Sequence, residues 1–454
     1  MRRDGRARRS VPPSGALTVA TARAVALHAL VELDRGRVER LRDGLVDVGL
    51  SPRDRAFAFD LAHVVARRRR LLDFVLAALC QRGLPPDPRL RNVLRLGVAQ
   101  LLFVAGMPRH AAVFETVALV RGNRGFANAV LRRVADAVVD RAAVDPGREL
   151  PLGPDRCCAL PAPLPVDELE RLALVHSLPD FVLRRVAAEH GLDGARAVAA
   201  AASAPADVYL RLLAAVDAPA LVAELAAAGV ELQPTGHALA WRWSGGASPF
   251  ATAAFARGAF LAQDPTALRA AEALPCGPGD RVLDLCAAPG AKTVRLAERV
   301  RPGGQVVACD VDPVRRRRIA ENVARLRLQD VVQVAASADA VPTGCDAVLA
   351  DVPCSNSGVL GRRVEVRDRL QPETFAQMAA VQRPLLLQAL RACRPGGAVA
   401  YSTCSIDGEE NGAVVRAVLA DPQAPRAELV SEQTTLPCAG QHDGGYVAVL
   451  RRLA

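Results

Sequence analysis

Two cysteines in the last third of the chain, Cys354 and Cys404, each close a short apolar run. The first run ends Leu349-Ala350-Asp351-Val352-Pro353-Cys354, and the second ends Ala400-Tyr401-Ser402-Thr403-Cys404. Short apolar runs bounded by turn signals read as buried strands. A cysteine at such a strand end is a candidate nucleophile, since its thiolate attacks electrophilic carbon readily. If the two strands are neighbours, both thiols and the Asp351 carboxylate converge in one pocket. Fifty positions separate the thiols, so nothing local forces that pairing. Two buried structural cysteines are the alternative, and spacing alone leaves Cys354 and Cys404 interchangeable.

A second set of residues looks built for a cofactor. An apolar run leads into Asp284-Leu285-Cys286-Ala287-Ala288-Pro289-Gly290-Ala291-Lys292-Thr293, and a helical pattern comes next. Small residues let the backbone turn tightly, and a helix N-terminus offers unpaired N–H groups. Cys286, Ala287, Ala288, Pro289, Gly290, Ala291 and Lys292 are therefore candidate cofactor-binding residues. The loop is neither G-x-G-x-x-G nor G-x-x-x-x-G-K-[ST]. Twenty residues beyond Gly290, Asp310 ends the next apolar run, where a carboxylate can accept both hydroxyls of a ribose. Asp339 follows a third run and could face the adenine, and Asp351 lies near the cofactor's reactive end. The missing phosphate-binding glycines favour S-adenosyl-L-methionine over NAD, because a sulfonium nucleoside has no pyrophosphate to hold. Lys292 is the single lysine among 58 basic residues. Arginine does not replace a compact point charge on a flexible stem.

These residues need a sheet to carry them. Strands are expected at Arg281–Leu285, Gln305–Cys309, Val331–Val334, Ala347–Ala350 and Gly397–Ser402. Helices are expected at Thr293–Arg299, Pro313–Leu326 and Pro372–Ala392. Alternation of this kind implies a mostly parallel sheet covered on both faces, with ligands outside the carboxyl ends of the strands. Upstream, apolar residues recur at helical spacing over Leu17–Asp34, Arg55–Leu79, Val93–Phe103, Ala111–Val120 and Gly125–Val138. The fold expected is multidomain: a disordered basic arm over 1–15, an all-α domain over 16–145, a small α/β linker module over 160–240 and a Rossmann-like α/β domain over 241–454. Residues 145–165, rich in Pro, Gly and Asp, read as a linker. The run Arg67–Arg70 reads as a solvated or RNA-facing stretch.

At 454 residues two or three domains are expected, and with 4% aromatics their cores must be filled by Leu, Val and Ala. No apolar stretch is long enough to span a bilayer, and none directly follows the basic arm, so a cytoplasmic protein without a membrane partner is expected. Eleven scattered cysteines without paired CxxC units point to reduced thiols, and no metal site is expected. The net charge of +10 is uneven: residues 1–150 hold 27 Arg against 15 acidic residues, and the remainder is close to neutral. A basic half of this kind suits a polyanion, most plausibly nucleic acid.

With DLCAAPGAKT, ACDVD, ADVPCSNSGV and YSTCS in this order, the chain from about residue 240 resembles the RNA (cytosine-5-) methyltransferase family. The resemblance implies that Cys404 is the nucleophile, that Cys354 assists product release, that Asp351 holds the cytosine edge and that Lys292 lies close by. Phe260–Asp264 (FLAQD) and Asp443–Tyr446 resemble the family's opening and closing segments. RNVLRLGVAQLLFVAGMPRHAAVFETVALV and GFANAVLRRV resemble the NusB-type RNA-binding domain of bacterial small-subunit ribosomal RNA methyltransferases B. That implies one cytosine of 16S ribosomal RNA as target, free or in a small-subunit assembly intermediate, and a monomeric enzyme. Arg91, Arg95, Arg109, Arg132 and Arg133 become candidates for phosphate contacts. The chain departs from the family pattern at Ala291, where Gly is usual, at Leu213 and Asp368, and at Gly445 and Tyr446 in place of a double aromatic. The competing readings are a non-catalytic RNA-binding factor on the same fold, and an enzyme acting on transfer RNA.

Overall fold

The computed structural model describes residues 21–46, 49–80, 83–335 and 341–454. The expected basic arm at 1–15 and Asp339 lie outside the described residues. The chain divides into two compact units, Met1–Pro163 and Leu164–Ala454.

In the first unit the helices are Ala22–Asp34, Pro52–Arg67, Arg69–Leu79, Pro88–Phe103, Arg109–Val117 and Arg124–Ala137. Thr21, Ser51, Asp87 and Asn123 each accept a first-turn N–H, which satisfies donors that have no partner inside the helix. The helical pattern over Arg55–Leu79, interrupted in the sequence by the run Arg67–Arg70, forms two helices that part at Arg68, which leaves helical geometry at φ −114°, ψ 14°. The arginine run at that break is partly buried. Arg67 is buried, the Arg68 guanidinium lies 5.1 Å from the Phe103 ring, and Arg69 Nη1 is 2.7 Å from Asp34. Part of the expected linker at 145–165 joins Val138–Val139 in a small antiparallel sheet, in the order Val138–Val139, Arg156–Ala159, Glu149–Gly153. Its turn residues are tied down: Asp145 accepts the Gly147 N–H at 2.8 Å, and Glu149 accepts from Arg141 and the Val144 N–H.

The second unit opens with helices Glu168–Val175 and Asp180–Ser203, the latter turned at Gly191 (φ 72°). A four-stranded antiparallel sheet comes next, in the order Val230–Pro234, Ala240–Gly246, Val208–Leu212, Phe260–Ala262. The module expected over 160–240 is therefore not a separate body, since its sheet borrows Phe260–Ala262 from the FLAQD segment. Charged side chains join it to the rest. Arg185 grips Asp407 through two bonds of 2.6 and 2.7 Å, and buried Arg211 reaches Glu298 at 2.6 Å. Buried Arg367 donates to the carbonyls of His176, Ala202 and Leu360.

The larger sheet has strands β1 (Arg281–Asp284), β2 (Gln305–Ala308), β3 (Val332–Val334), β4 (Cys345–Asp351), β5 (Cys393–Thr403), β6 (Ala427–Thr435) and β7 (Gly445–Arg452). Their spatial order is β3-β2-β1-β4-β5-β7-β6, with β1 to β5 parallel and β7 antiparallel to both neighbours. Successive residues face opposite cores. Val282 and Leu349 pack with α1 (Ala291–Val300) and α2 (Pro313–Arg325), through Val294, Val300 and Ile319. Leu283 and Val348 pack with α3 (Thr374–Ala392) and α4 (Gly412–Leu419), through Leu386, Leu390, Val414 and Val418. Burial on both faces explains the nearly continuous apolar runs. No helix among the described residues is long and apolar enough to cross a membrane.

Candidate active site

Strand order places a crevice between β1 and β4, where the connections leave the sheet in opposite directions. On one side, β1 runs into the Cys286–Gly290 loop. Gly290 sits ahead of α1 with φ 102°, a left-handed conformation costly for any residue with a Cβ. Ala291 then begins the helix outside the positive-φ region, so its departure from the usual Gly introduces no left-handed strain. Lys292, in the first turn, extends to Asp351 at the end of β4, with Nζ 2.6 Å from Oδ2. Ser402 on β5 donates to the other carboxylate oxygen at 2.7 Å. Burial disfavours the Lys292 ammonium, but the charge and hydrogen bond of Asp351 outweigh it and raise the lysine pKa.

The residues present fit a sulfonium nucleoside. Asp310, two residues beyond β2, is a buried carboxylate that accepts the Asp312 N–H at 3.0 Å and lies 3.3 Å from Arg315. Its Oδ2 lies 3.4 Å from the Ala288 N–H, which ties it to the loop. Asp284 is wholly buried. Its Oδ2 accepts the Thr293 hydroxyl at 2.7 Å, while Oδ1 has no hydrogen-bond partner among the described residues. Burial pushes its pKa up to about 7. An orphaned oxygen beside a loop of small residues is the mark of a place meant for a polar ligand. Cys286, Ala288, Ala291 and Lys292 are the partly open residues of this loop and Pro289 is exposed, whereas Ala287 and Gly290 are buried and shape it. Burial pushes the Cys286 thiol up to about 12, so this cysteine is not a reactive one.

β4 and β5 are paired, with Asp351 opposite Ser402, and this register brings the two cysteines together. Cys354 Sγ lies 3.1 Å from Cys404 Sγ. Both thiols are half-buried. Sequence reasoning missed the groups around them. Asn356 accepts from Cys404 Sγ at 3.3 Å and donates to the Cys354 carbonyl at 2.8 Å, from a left-handed conformation at φ 62°. Asn is among the few residues that tolerate that conformation, and this was the available signal. Ser402, Gln382 and Glu410 gave none, since each is an ordinary residue on a strand, helix or turn until the fold brings it in.

The arginines proposed for phosphate contacts divide. Arg95 is a correction: only 5% exposed, it gives two bonds to Asp73 (2.7 and 2.6 Å) and one to Asn92 (2.8 Å). Its helix position faces the core, so the charge serves packing. Arg95→Ala should cost the first unit about 3 kcal/mol by stranding its acidic partners, measured as a lower urea midpoint. Arg91 donates twice to the Pro85 carbonyl, and Arg109 pairs with Asp140 at 2.8 Å. Arg133 is exposed and donates to the Leu79 carbonyl, while Arg132 is exposed without an ion-pair partner among the described residues. Leu213 packs on the core of the larger sheet, and Asp368 is exposed.

A thiol pair at a cofactor's reactive end is idle in methyl transfer to oxygen or nitrogen, whose lone pairs already attack. A thiol nucleophile has work to do where the acceptor is an unactivated ring carbon. The class so defined is the S-adenosylmethionine-dependent RNA (cytosine-5-) methyltransferases, and S-adenosylmethionine is the cofactor. Comparison with known proteins narrows the class. Residues 271–451 match the model of the family described as 16S rRNA methyltransferase RsmB/F, and residues 20–136 match the NusB family. A Thermus thermophilus protein named ribosomal RNA small subunit methyltransferase B is 34% identical over 95% of this chain and 98% of its own. A Bacillus subtilis protein named probable ribosomal RNA small subunit methyltransferase B is 26% identical over 87% and 88%. In fold, the chain is similar to a methyltransferase homolog from Pyrococcus horikoshii (TM-score 0.55, 24% identity, 64% of this chain and 100% of that one). It is similar also to NSun6 from the same organism (TM-score 0.54, 18% identity, 61% and 98%). The chain belongs to the RsmB/F family of 16S rRNA methyltransferases.

Proposed function

We propose that this enzyme methylates C5 of one cytosine in 16S ribosomal RNA, with Cys404 as the attacking sulfur and Cys354 assisting its departure. The observation that carries the reading is the 3.1 Å thiol pair at adjoining strand ends, beside the Lys292–Asp351 ion pair. Bound S-adenosylmethionine supplies an electrophilic methyl group. The protein's task is to make C5 nucleophilic. The Cys404 thiolate bonds to C6, and the electrons of the C5=C6 bond pass into the ring. Asp351 accepts from the cytosine edge and supports a proton at N3, while Lys292 balances its charge. Once C5 carries the methyl group, its proton is lost, C5=C6 re-forms, and the C6–S bond breaks. The base must leave its stack to reach these thiols, so an unpaired cytosine is the cheaper substrate.

The names of the relatives support the ribosomal target, and the basic first unit supports an RNA-binding role for Arg91, Arg109, Arg132 and Arg133. Arg132→Ala should weaken RNA binding and lower the salt slope by about one counter-ion, with little change in stability. Asp310 would hold the ribose of the cofactor and the Cys286–Gly290 loop would line it. Eleven free thiols suit the reducing cytoplasm, where we place the enzyme as a monomer. Bisulfite sequencing of total RNA from cells with and without the gene tests the substrate. One 16S cytosine should lose its protection in the deletion strain. Loss at a transfer RNA site with 16S unchanged would overturn the assignment.

A further inference from the structure

Five of the eleven cysteines are partly open, Cys276, Cys286, Cys354, Cys404 and Cys438, and the other six are buried. Of the five, only Cys354 and Cys404 have sulfurs in contact, 3.1 Å apart. The backbone beneath them already suits a bond between the two. β4 and β5 are parallel neighbours with Asp351 opposite Ser402, and beyond the ladder the Val352 N–H still donates to the Ser402 carbonyl. Paired strands lie about 4.8 Å apart, inside the range of about 4.4–6.8 Å that separates the Cα atoms of a disulfide.

The turns that carry the thiols are fastened to each other. The Gly358 N–H donates to the Cys404 carbonyl at 2.9 Å, and Ser357 Oγ lies 2.8 Å from Ser405 Oγ. The wholly buried Glu410 carboxylate accepts the Ser355 N–H at 2.8 Å, the Ser405 hydroxyl at 2.8 Å and Gln382 Nε2 at 2.9 Å. One sulfur is therefore held against the other by bonds that pass through neither thiol. A disulfide bond is about 2.05 Å long, so the sulfurs have about 1 Å left to close, which side-chain rotation can supply. Chain entropy does not oppose the step, because the paired strands have already closed the loop of 50 positions between the two cysteines.

A partly open thiol can be reached by small oxidants. Alone, it climbs from sulfenic to sulfinic and sulfonic acid, and the later steps are irreversible. With a second thiol in contact, the sulfenic acid condenses to a disulfide instead.

We propose that Cys354 and Cys404 form a reversible disulfide that switches methyl transfer off under peroxide and shields the attacking sulfur from irreversible oxidation. Hydrogen peroxide oxidises one thiol to a sulfenic acid and leaves as water. The other sulfur then displaces the hydroxyl, which departs with the remaining thiol proton as a second water. Two thiols thus lose two electrons and two protons, and one peroxide becomes two waters. No sulfur remains to add to C6, whereas the Lys292–Asp351 pair and the Asp310 carboxylate keep their contacts. A reducing thiol returns both sulfurs by exchange. The bond forms whichever sulfur attacks cytosine, and only its effect on turnover rests on one of them doing so.

The test treats the full-length protein with hydrogen peroxide, caps the remaining thiols with iodoacetamide in denaturant and maps the peptides by mass spectrometry. A peptide joined through Cys354 and Cys404 should be the dominant oxidised species, and it should lose that dominance in protein oxidised while unfolded in urea. Dithiothreitol should free both thiols and restore methyl transfer. In Cys354→Ala, sulfinic and sulfonic acid at Cys404 should rise at least about tenfold over the wild type at the same dose. Cys438→Ser removes another partly open thiol and should leave the joined peptide unchanged. A wild type in which both sulfurs stay reduced at doses that oxidise other cysteines overturns the proposal. So does a Cys404 that passes to sulfinic acid equally in the wild type and in Cys354→Ala, or a joined peptide that dithiothreitol does not open. If Cys354→Ala does not fold, the wild-type peptide map decides alone. The map reads a bond and not turnover, so its failure is distinct from a failure of the Cys404 assignment, which is read from methyl transfer.

Discussion

Cys404→Ala should abolish transfer of labelled methyl groups to 16S RNA, with a loss of roughly 10³-fold or more. The size of the loss is set by the acceptor. C5 of an intact cytosine shares in an aromatic ring and offers a sulfonium methyl almost nothing to attack with. Only addition at C6 turns it into a carbon nucleophile, and alanine has no atom that can add. Binding should survive, because the loop after β1 and the Asp310 carboxylate do not depend on this sulfur. The Cys404 sulfur is half-buried and meets the Cys354 thiol and the Asn356 amide, neither of them a strong hydrogen bond, so the folded state should lose little. Equilibrium binding of S-adenosylmethionine and the unfolding midpoint should stay near the wild-type values while turnover vanishes. A variant that retains a tenth of the activity would rule out covalent attack by this residue.

Much of this site is legible in the sequence, because its parts lie at strand ends that hydrophobic runs announce. The five parallel strands are marked by apolar stretches that two covered faces require, and the loop Cys286–Gly290 by its small residues. Partners distant in sequence are not legible in this way. Cys354 and Cys404 meet because β4 and β5 are adjacent, and strand order is a property of the whole sheet. Glu410, Gln382 and Ser402 become visible only once those strands are paired. Arginine misleads most. Charge alone points Arg95 and the run Arg67–Arg70 outward, yet a long side chain can bury its stem and turn its charge to a partner such as Asp73 or Asp34. The sheet at 138–159 is concealed by its Pro and Gly turn, which reads as a linker when no partner strand is in view. The extent of the four-stranded sheet of the second unit is hidden, because Ala240–Gly246 and Phe260–Ala262 join it from beyond the expected boundary.

Cys354→Ala should leave attack intact and arrest the release step, so a protein–RNA complex resistant to denaturant should accumulate. The two thiols touch, yet the remaining contacts of Cys404 do not pass through Cys354: the Asn356 oxygen still receives its S–H, and Lys292 stays paired to Asp351. Addition at C6 can therefore proceed. On the proposed assignment release should be slowed, because the departing sulfur would leave as a thiolate into a half-buried pocket, where Cys354, 3.1 Å away, would stabilise it. A methyl side chain offers no hydrogen bond there, and the desolvated thiolate is a poorer leaving group. On a denaturing gel, labelled 16S fragment should migrate with the protein in Cys354→Ala, scarcely at all in the wild type, and not at all in Cys354→Ala combined with Cys404→Ala. The double variant makes the experiment decisive, since an adduct that persists in it would have to be made by some other nucleophile. If instead the single variant turns over normally without adduct, the sulfur beside Cys404 is a structural neighbour, and the C6–S bond breaks without it.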